Sequence, residues 1–359
     1  TEATAAFVEA CPPLTPERFT VDDINAWFVA PDGDGPWPAI VSVHGGPMTQ
    51  YGERWFDEWQ LWASAGFAVV ACNPHGSSGR DDAWARAIRS PLAAVEPGTG
   101  WGGVDADDVL AVLDAALERW PIDERRVGIH GGSYGGFMTT WLCARTDRFA
   151  AGCSERAVNN LLSEEWSSDV GGTFWRELGV SHLEHRDEYL RMSPVTYVDG
   201  ITCPILILHS EQDLRCNIEQ ADCLFVPLRM RQHDVEYWRF PAESHELSRS
   251  GAPKHRIRRA ELIIDFFTRK LGAATSSSAT LLPPVARQRT LPSVQYAGAT
   301  STSGNMASRR TAVRAGAPAG CSGRPLPCSP RRWRTWGSSS TTQNPPPLVA
   351  NQIWPVSAT

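Results

Sequence analysis

The chain has 359 residues, 42% of them hydrophobic and 21% charged, so it can bury a sizeable core, and global disorder is excluded. No apolar run reaches the ~18 residues that a membrane-spanning helix needs. The net charge of −6 conceals an imbalance: residues 273–359 carry nine Arg and no Lys, Asp or Glu, which makes that stretch +9 and leaves −15 for residues 1–272. A body this acidic repels phosphates and excludes nucleic acid as a partner.

Residues 1–16 hold Pro12, Pro13 and Pro16, start with Thr rather than Met, and show neither a basic n-region nor an apolar h-region. They read as a linker or the cut end of a longer chain. From Phe19 onward short apolar runs alternate with amphipathic stretches. Ala39–Val43, Phe67–Ala71, Val127–His130, Ile205–Leu208 and Val235–Phe240 read as strands, all but the last without the strict alternation of a half-exposed sheet. In 105–120, Val109, Val112, Leu113, Ala116, Leu117 and Trp120 share one helical face, with Asp105, Asp107 and Asp108 in the first turn, where the helix dipole favours acids. Residues 137–144 and 255–271 also read as helices. Strand–helix alternation over this length predicts an α/β fold, a mostly parallel sheet covered by helices on both faces. Past Leu271 the periodicity stops. Residues 273–359, with 11 Pro and much Ser, Thr, Ala and Arg, read as a low-complexity, disordered basic tail and a dispensable extension rather than an anion-binding arm. The nine cysteines are irregularly spaced and form no CxxC pair or Cys/His cluster, so no metal site is expected; buried thiols in a reducing cytoplasm are.

The chemistry-bearing residues fall at predicted strand ends. Gly131-x-Ser133-x-Gly135 follows one strand and precedes a helix, the setting of a nucleophile elbow, in which a tight turn presents the serine hydroxyl above the sheet. The backbone N–H of Tyr134 would then face a developing oxyanion. His44-Gly45-Gly46-Pro47 ends the strand at 39–43, and Gly46 or a neighbour is the candidate second donor. Asp213 lies just past the strand 205–208, with Glu211 as the alternative acid. His245 follows the strand 235–240 and is the candidate general base. Of the rival histidines, His209 reads as a core residue, His233 and His255 as solvated, and His44 and His130 as parts of turns.

Taken in order, HGGP at 44–47, NPHGSSG at 73–79, WGGVDADD at 101–108, GGSYGGFM at 131–138, SPVTYVD at 193–199, ILHSEQDLRC at 207–216 and HELSRSG at 245–251 resemble the catalytic domain of the prolyl oligopeptidase family, most closely its acylaminoacyl-peptidase and dipeptidyl-peptidase-like branch. The resemblance covers 17–272. It implies an α/β-hydrolase fold and a serine peptidase acting on short peptides, without cofactor or metal. Nucleophile, acid and base would be Ser133, Asp213 and His245, with Tyr134 and Gly46 as oxyanion donors. Arg176 is the match to a substrate-contacting arginine. A carboxylesterase on the same triad, or an inactive truncated remnant, are the alternatives. The N-terminal β-propeller of relatives is expected to be missing, and the hairpin Phe19–Phe28 looks shortened. His75, Asn217 and Ser244 depart from the residues usual in relatives. The expected setting is cytoplasmic, with no membrane or nucleic-acid partner, and is compatible with a homo-oligomer.

Overall fold

The computed structural model describes residues 12–272, together with Glu9 and the short segment Val294–Tyr296. These residues fall within one compact unit, Thr1–Ser301; a second unit, Thr302–Thr359, lies outside the described residues. Nine strands form one sheet among them, in the order β1-β2-β4-β3-β5-β6-β7-β8-β9. In chain order these are β1 (Glu17–Val21), β2 (Ile24–Val29), β3 (Trp37–Val43), β4 (Ala68–Cys72), β5 (Ile122–Gly132), β6 (Ala151–Glu155), β7 (Ile205–Ser210), β8 (Val235–Phe240) and β9 (Val294–Tyr296). The hairpin β1–β2 is antiparallel, as is its junction with β4; every other pairing is parallel. The segment 273–359, expected to be a disordered tail, lies outside the described residues except for β9. That strand adds its backbone to the sheet beside β8, where the sequence offered no element.

Helices cover both faces. On one lie α2 (Val104–Arg119), α3 (Tyr134–Arg145) and α5 (Glu219–Met230); on the other lie α1 (Asp57–Ser64) and α6 (Pro253–Leu271). Successive strand residues point to opposite faces, so Val41 and Ile207 join the first core, and Ile40, Leu206 and Leu208 the second. A strand buried on both sides needs apolar residues at every position, which is why these runs lack alternation. Trp62, Phe67, Phe266 and Phe267 are fully buried in the second core, each such side chain contributing roughly 1.5–3 kcal/mol. Helix α6 ends at Leu271, with Gly272 at φ 68°, a left-handed cap that glycine adopts without penalty. Among the described residues no helix is long and apolar enough to cross a membrane.

The topology sets the position of the site. From β3 the chain moves outward to β4, then crosses back to β5 on the other side of β3. The loops leaving β3 and β5 therefore diverge, and a crevice opens above their carboxyl ends. His44–Gly46 follow β3 there, and Ser133 follows β5.

Candidate active site

Ser133 has φ 61° and ψ −122°, a conformation that L residues rarely adopt and that costs of order 1–3 kcal/mol. Packing imposes it. The Ser133 N–H donates to the carbonyls of Glu155 and Arg156, at 3.0 and 3.1 Å. A side chain at Gly135 would strike the Val43 carbonyl, and one at Gly132 the Arg156 guanidinium, so β3, β6 and the elbow fit together only through bare backbone. Tyr134 opens α3, and its N–H, in the first turn, has no intrahelical acceptor. Its phenol is buried and donates to Asp105 Oδ2 at 2.5 Å.

The His44–Pro47 turn sits directly opposite. A Cβ at Gly45 would lie 3.2 Å from the Gly132 carbonyl and 3.5 Å from Ser133 Cβ, and Gly46 is held at φ 130°. His44 is a strut: its Nδ1 faces the Gly45 carbonyl at 2.7 Å and its Nε2 the Ser77 hydroxyl at 3.0 Å. Burial pushes its pKa down to about 4, against the pull of the Gly45 carbonyl, so the ring is neutral.

Asp213 and His245 are joined. His245 Nδ1 donates to Asp213 Oδ2 at 2.7 Å, while Asp213 Oδ1 accepts from the backbone N–H groups of Arg215 and Cys216, both at 2.9 Å. The carboxylate is 2% exposed and fixed at both oxygens, so the imidazole it holds has one orientation. Glu211, the alternative acid, pairs instead with Arg239. Ser133 and His245 line the same cleft, of about 930 Å³, with Gly45 and Gly46. Among the described residues neither the serine hydroxyl nor His245 Nε2 has a protein hydrogen-bond partner. The Oγ–Nε2 contact is thus not closed here; bonds of this kind often tighten only when substrate binds.

His209 is buried as expected, its Nε2 donating to the Cys216 carbonyl at 2.7 Å. His255 is not solvated, and His233 is only half-buried. His255 is 7% exposed and faces Glu243 Oε1 at 2.5 Å, and His233 Nε2 donates to the Cys203 carbonyl at 2.8 Å. Both sit in charged sequence, but their partners are strand-end and loop groups that local spacing does not reveal.

Arg176 is not among the residues that line the cleft. It lies exposed on the short helix Phe174–Leu178, its guanidinium 5.2 Å above the Trp175 ring. On that helix the inward positions are Phe174 and Leu178, and two residues past Phe174 the side chain faces out. Arg215 does line the cleft, bound to Asp169. Its signal, a cation two residues after the acid, was present in the sequence but unused.

The cleft floor was also missed. Arg259 on α6 clasps Glu155 with two bonds, at 2.5 and 2.6 Å, and reaches Glu58 at 2.6 Å; Arg156 lies 3.2 Å from Glu155. Burial alone would raise both carboxyls, but Arg259 outweighs it. Glu58 ends below the usual range and Glu155 well below it. Arg259 lies 104 residues from Glu155 and further still from Glu58, so no motif joins them.

Residues 53–274 match the model of the prolyl oligopeptidase family. The uncharacterized peptidase YuxL of Bacillus subtilis is 39% identical over 254 residues, covering 69% of this chain and 37% of its own length. Dipeptidyl-peptidase 5 of Porphyromonas gingivalis is 31% identical over 233 residues, covering 61% and 32%. Among solved structures, the acylaminoacyl peptidase of Pyrococcus horikoshii superposes with a TM-score of 0.70 at 30% identity, covering 78% of this chain and 45% of that one. The chain spans about a third of the length of the curated relatives it matches. With an α/β-hydrolase sheet, a strained serine at the end of β5 and the family model matched over most of the described residues, the chain belongs to the prolyl oligopeptidase family.

Proposed function

We propose that this chain is a serine peptidase domain that hydrolyses short peptides through an acyl-enzyme intermediate. The observation that carries the reading is the placement of Ser133, strained at the N-terminus of α3, in one cleft with an imidazole already held by a buried carboxylate. In the reaction, Ser133 Oγ attacks the scissile carbonyl while His245 Nε2 takes its proton. The N–H groups of Tyr134 and Gly46 stabilise the oxyanion, and Asp213 stabilises the imidazolium. The intermediate collapses as His245 returns the proton to the leaving amine. Water, activated by the same ring, then releases the acid and frees the serine. Catalytic roles for Ser133, Asp213 and His245 and donor roles for Tyr134 and Gly46 belong to this reading; Arg176 does not. The acylaminoacyl- and dipeptidyl-peptidase names of the relatives point to small peptides as substrates. A cytoplasmic setting is part of the proposal, supported by the six described cysteines, all free thiols.

The test is a panel of peptide anilides with blocked and free N-termini, run beside simple acyl esters, on the full chain and on Ser133→Ala. Peptide turnover that disappears in the variant is expected. Turnover of esters alone would make the protein a carboxylesterase, and turnover surviving in Ser133→Ala would remove the serine from the mechanism.

A further inference from the structure

The described residues hold many buried carboxylates, and nearly all are partnered. Asp213 accepts three hydrogen bonds, Glu155 is clasped by Arg259, Glu243 faces His255, Asp108 faces His75, and Glu188 binds Ser90 and Arg191. Glu164 on α4 (Leu161–Ser167) differs. It is 0% exposed and lines the cleft, yet it has no cationic partner among the described residues; only the Cys216 thiol and the Ser168 hydroxyl offer it a proton. Glu165 is buried too, but it lies 3.9 Å from His182 and is not among the cleft-lining residues. Burying a carboxyl with no cation beside it is costly, and such groups in native proteins call for an explanation.

Its surroundings supply one. Trp101 packs edge-on against Tyr134, with centroids 5.0 Å apart, and against Phe174 at 6.0 Å, so one wall runs from the nucleophile's own helix to residue 174. On the other side Cys216, whose N–H holds Asp213, lines the same space. Val158 and Val170 also line it. The space is therefore flanked on both sides by residues attached to the serine or to the acid. Its lining is mostly apolar; the polar residues are Thr173, whose hydroxyl donates to the Val170 carbonyl, Glu164, and Glu177, which is half-buried and makes no ion pair among the described residues. The neighbouring cleft arginines are engaged elsewhere: Arg215 with Asp169, Arg249 with Glu246, Arg259 with Glu155.

We infer that this space is the pocket for the side chain on the acyl side of the scissile bond, and that it selects a long cationic side chain, Lys or Arg, through Glu164. The inference rests on the peptidase reading and names the substrate class of that site. Apolar walls suit the methylene stem, and a carboxyl at the end suits the charge; a stem packed on apolar surface with a paired head is how such side chains are buried. The empty pocket tolerates Glu164 because burial first, and the nearby Asp213 and Glu219 charges with it, push its pKa up to about 8 against the Cys216 thiol and Ser168 hydroxyl. At neutral pH the carboxyl is then mostly protonated. A cationic guest favours its ionised form, and the proton leaves to solvent.

The experiment compares the Nα-acetyl esters of lysine and norleucine, whose side chains share the four-carbon stem and differ in the ammonium group. On the full chain, kcat/KM for lysine should exceed that for norleucine by roughly tenfold or more, and Glu164→Gln should bring that ratio close to one. Glu177→Gln should lower it less. Because both rates come from one sample, the ratio is independent of how much of a variant is folded. Norleucine turned over as fast as lysine by the full chain, or a lysine preference unchanged in Glu164→Gln, would overturn the pocket while leaving the peptidase reading intact. No turnover of any ester or peptide would overturn both.

Discussion

Beneath Ser133, Arg259 holds Glu155 by two bonds and Glu58 by a third; across the cleft, Glu164 is as deeply buried as Glu155 and has no cationic partner among the described residues. The floor keeps its charges because each has a partner, and the two carboxyls end below their ordinary pKa range. The wall keeps its carboxyl by protonating it, with the pKa pushed up to about 8. Low-dielectric surroundings allow both solutions, but they serve different ends. A paired set fixes geometry, here the junction of β6, α1 and α6 on which the elbow rests. An unpaired acid stays available to whatever enters.

The largest expected effect lies between these two regions, at the acid itself. Asp213→Asn leaves the shape intact but can no longer hold His245 in the working tautomer. We expect kcat to fall about 10⁴-fold with little change in thermal unfolding, read by steady-state kinetics and calorimetry. A loss of stability matching the loss of rate would mean that Asp213 is structural, like the floor. Arg259→Met probes the floor directly. It strands Glu155 and Glu58 and should cost about 3–5 kcal/mol in urea unfolding. Because both carboxyls are depressed, their stabilisation is present above the unfolded pKa and is lost as pH falls through the lower folded values. The full chain should therefore lose stability steeply below about pH 4.5 and the variant much less. A neutral Arg259→Met would erase the contrast between the two regions.

Tyr134→Phe removes the donor to buried Asp105 and should cost about 1–3 kcal/mol, while the backbone N–H at residue 134 remains for the oxyanion. Stability reduced with kcat largely retained is the expected split. The smallest effect is expected on the wall. Glu164 has a raised pKa, so its stabilisation is complete below the unfolded value and fades as pH rises through about 8. Glu164→Gln carries no such term. It should gain on the full chain between pH 5 and 9, measured by unfolding across that range. A constant difference across the range would place Glu164 with the paired acids.

The sequence made the frame legible where burial is two-sided. β3, β4 and β7 are runs of apolar residues, while β8 alternates. In α6 the apolar positions Ile257, Ala260, Ile264, Phe267 and Leu271 announce a helix, but Ile257 is exposed and the buried face runs instead through Leu262, Ile263, Phe266 and Phe267. β6 escaped because its residues, Ala151 to Glu155, are small or polar. Its core contacts are made by Thr140 on Ser154 and by Arg259 on Glu155 rather than by bulky side chains. The elbow, the HGGP turn and the strand-end Asp and His were legible because each is a local pattern at a strand terminus. The floor, the His255–Glu243 pair and the isolation of Glu164 were not, since each depends on residues brought together only by the completed sheet. Arg176 shows the converse. A cation at a plausible place in the chain says nothing of direction, and one turn of a short helix sent it to solvent.

The central claim is that Ser133 is a hydroxyl activated by His245. A fluorophosphonate probe on the full chain, followed by mass spectrometry of the modified peptide, tests it most directly. The account predicts one adduct per chain on Ser133, with labelling abolished in Ser133→Ala and slowed severely in His245→Ala. Equal labelling of the full chain and Ser133→Ala, or an adduct on another residue, would contradict it.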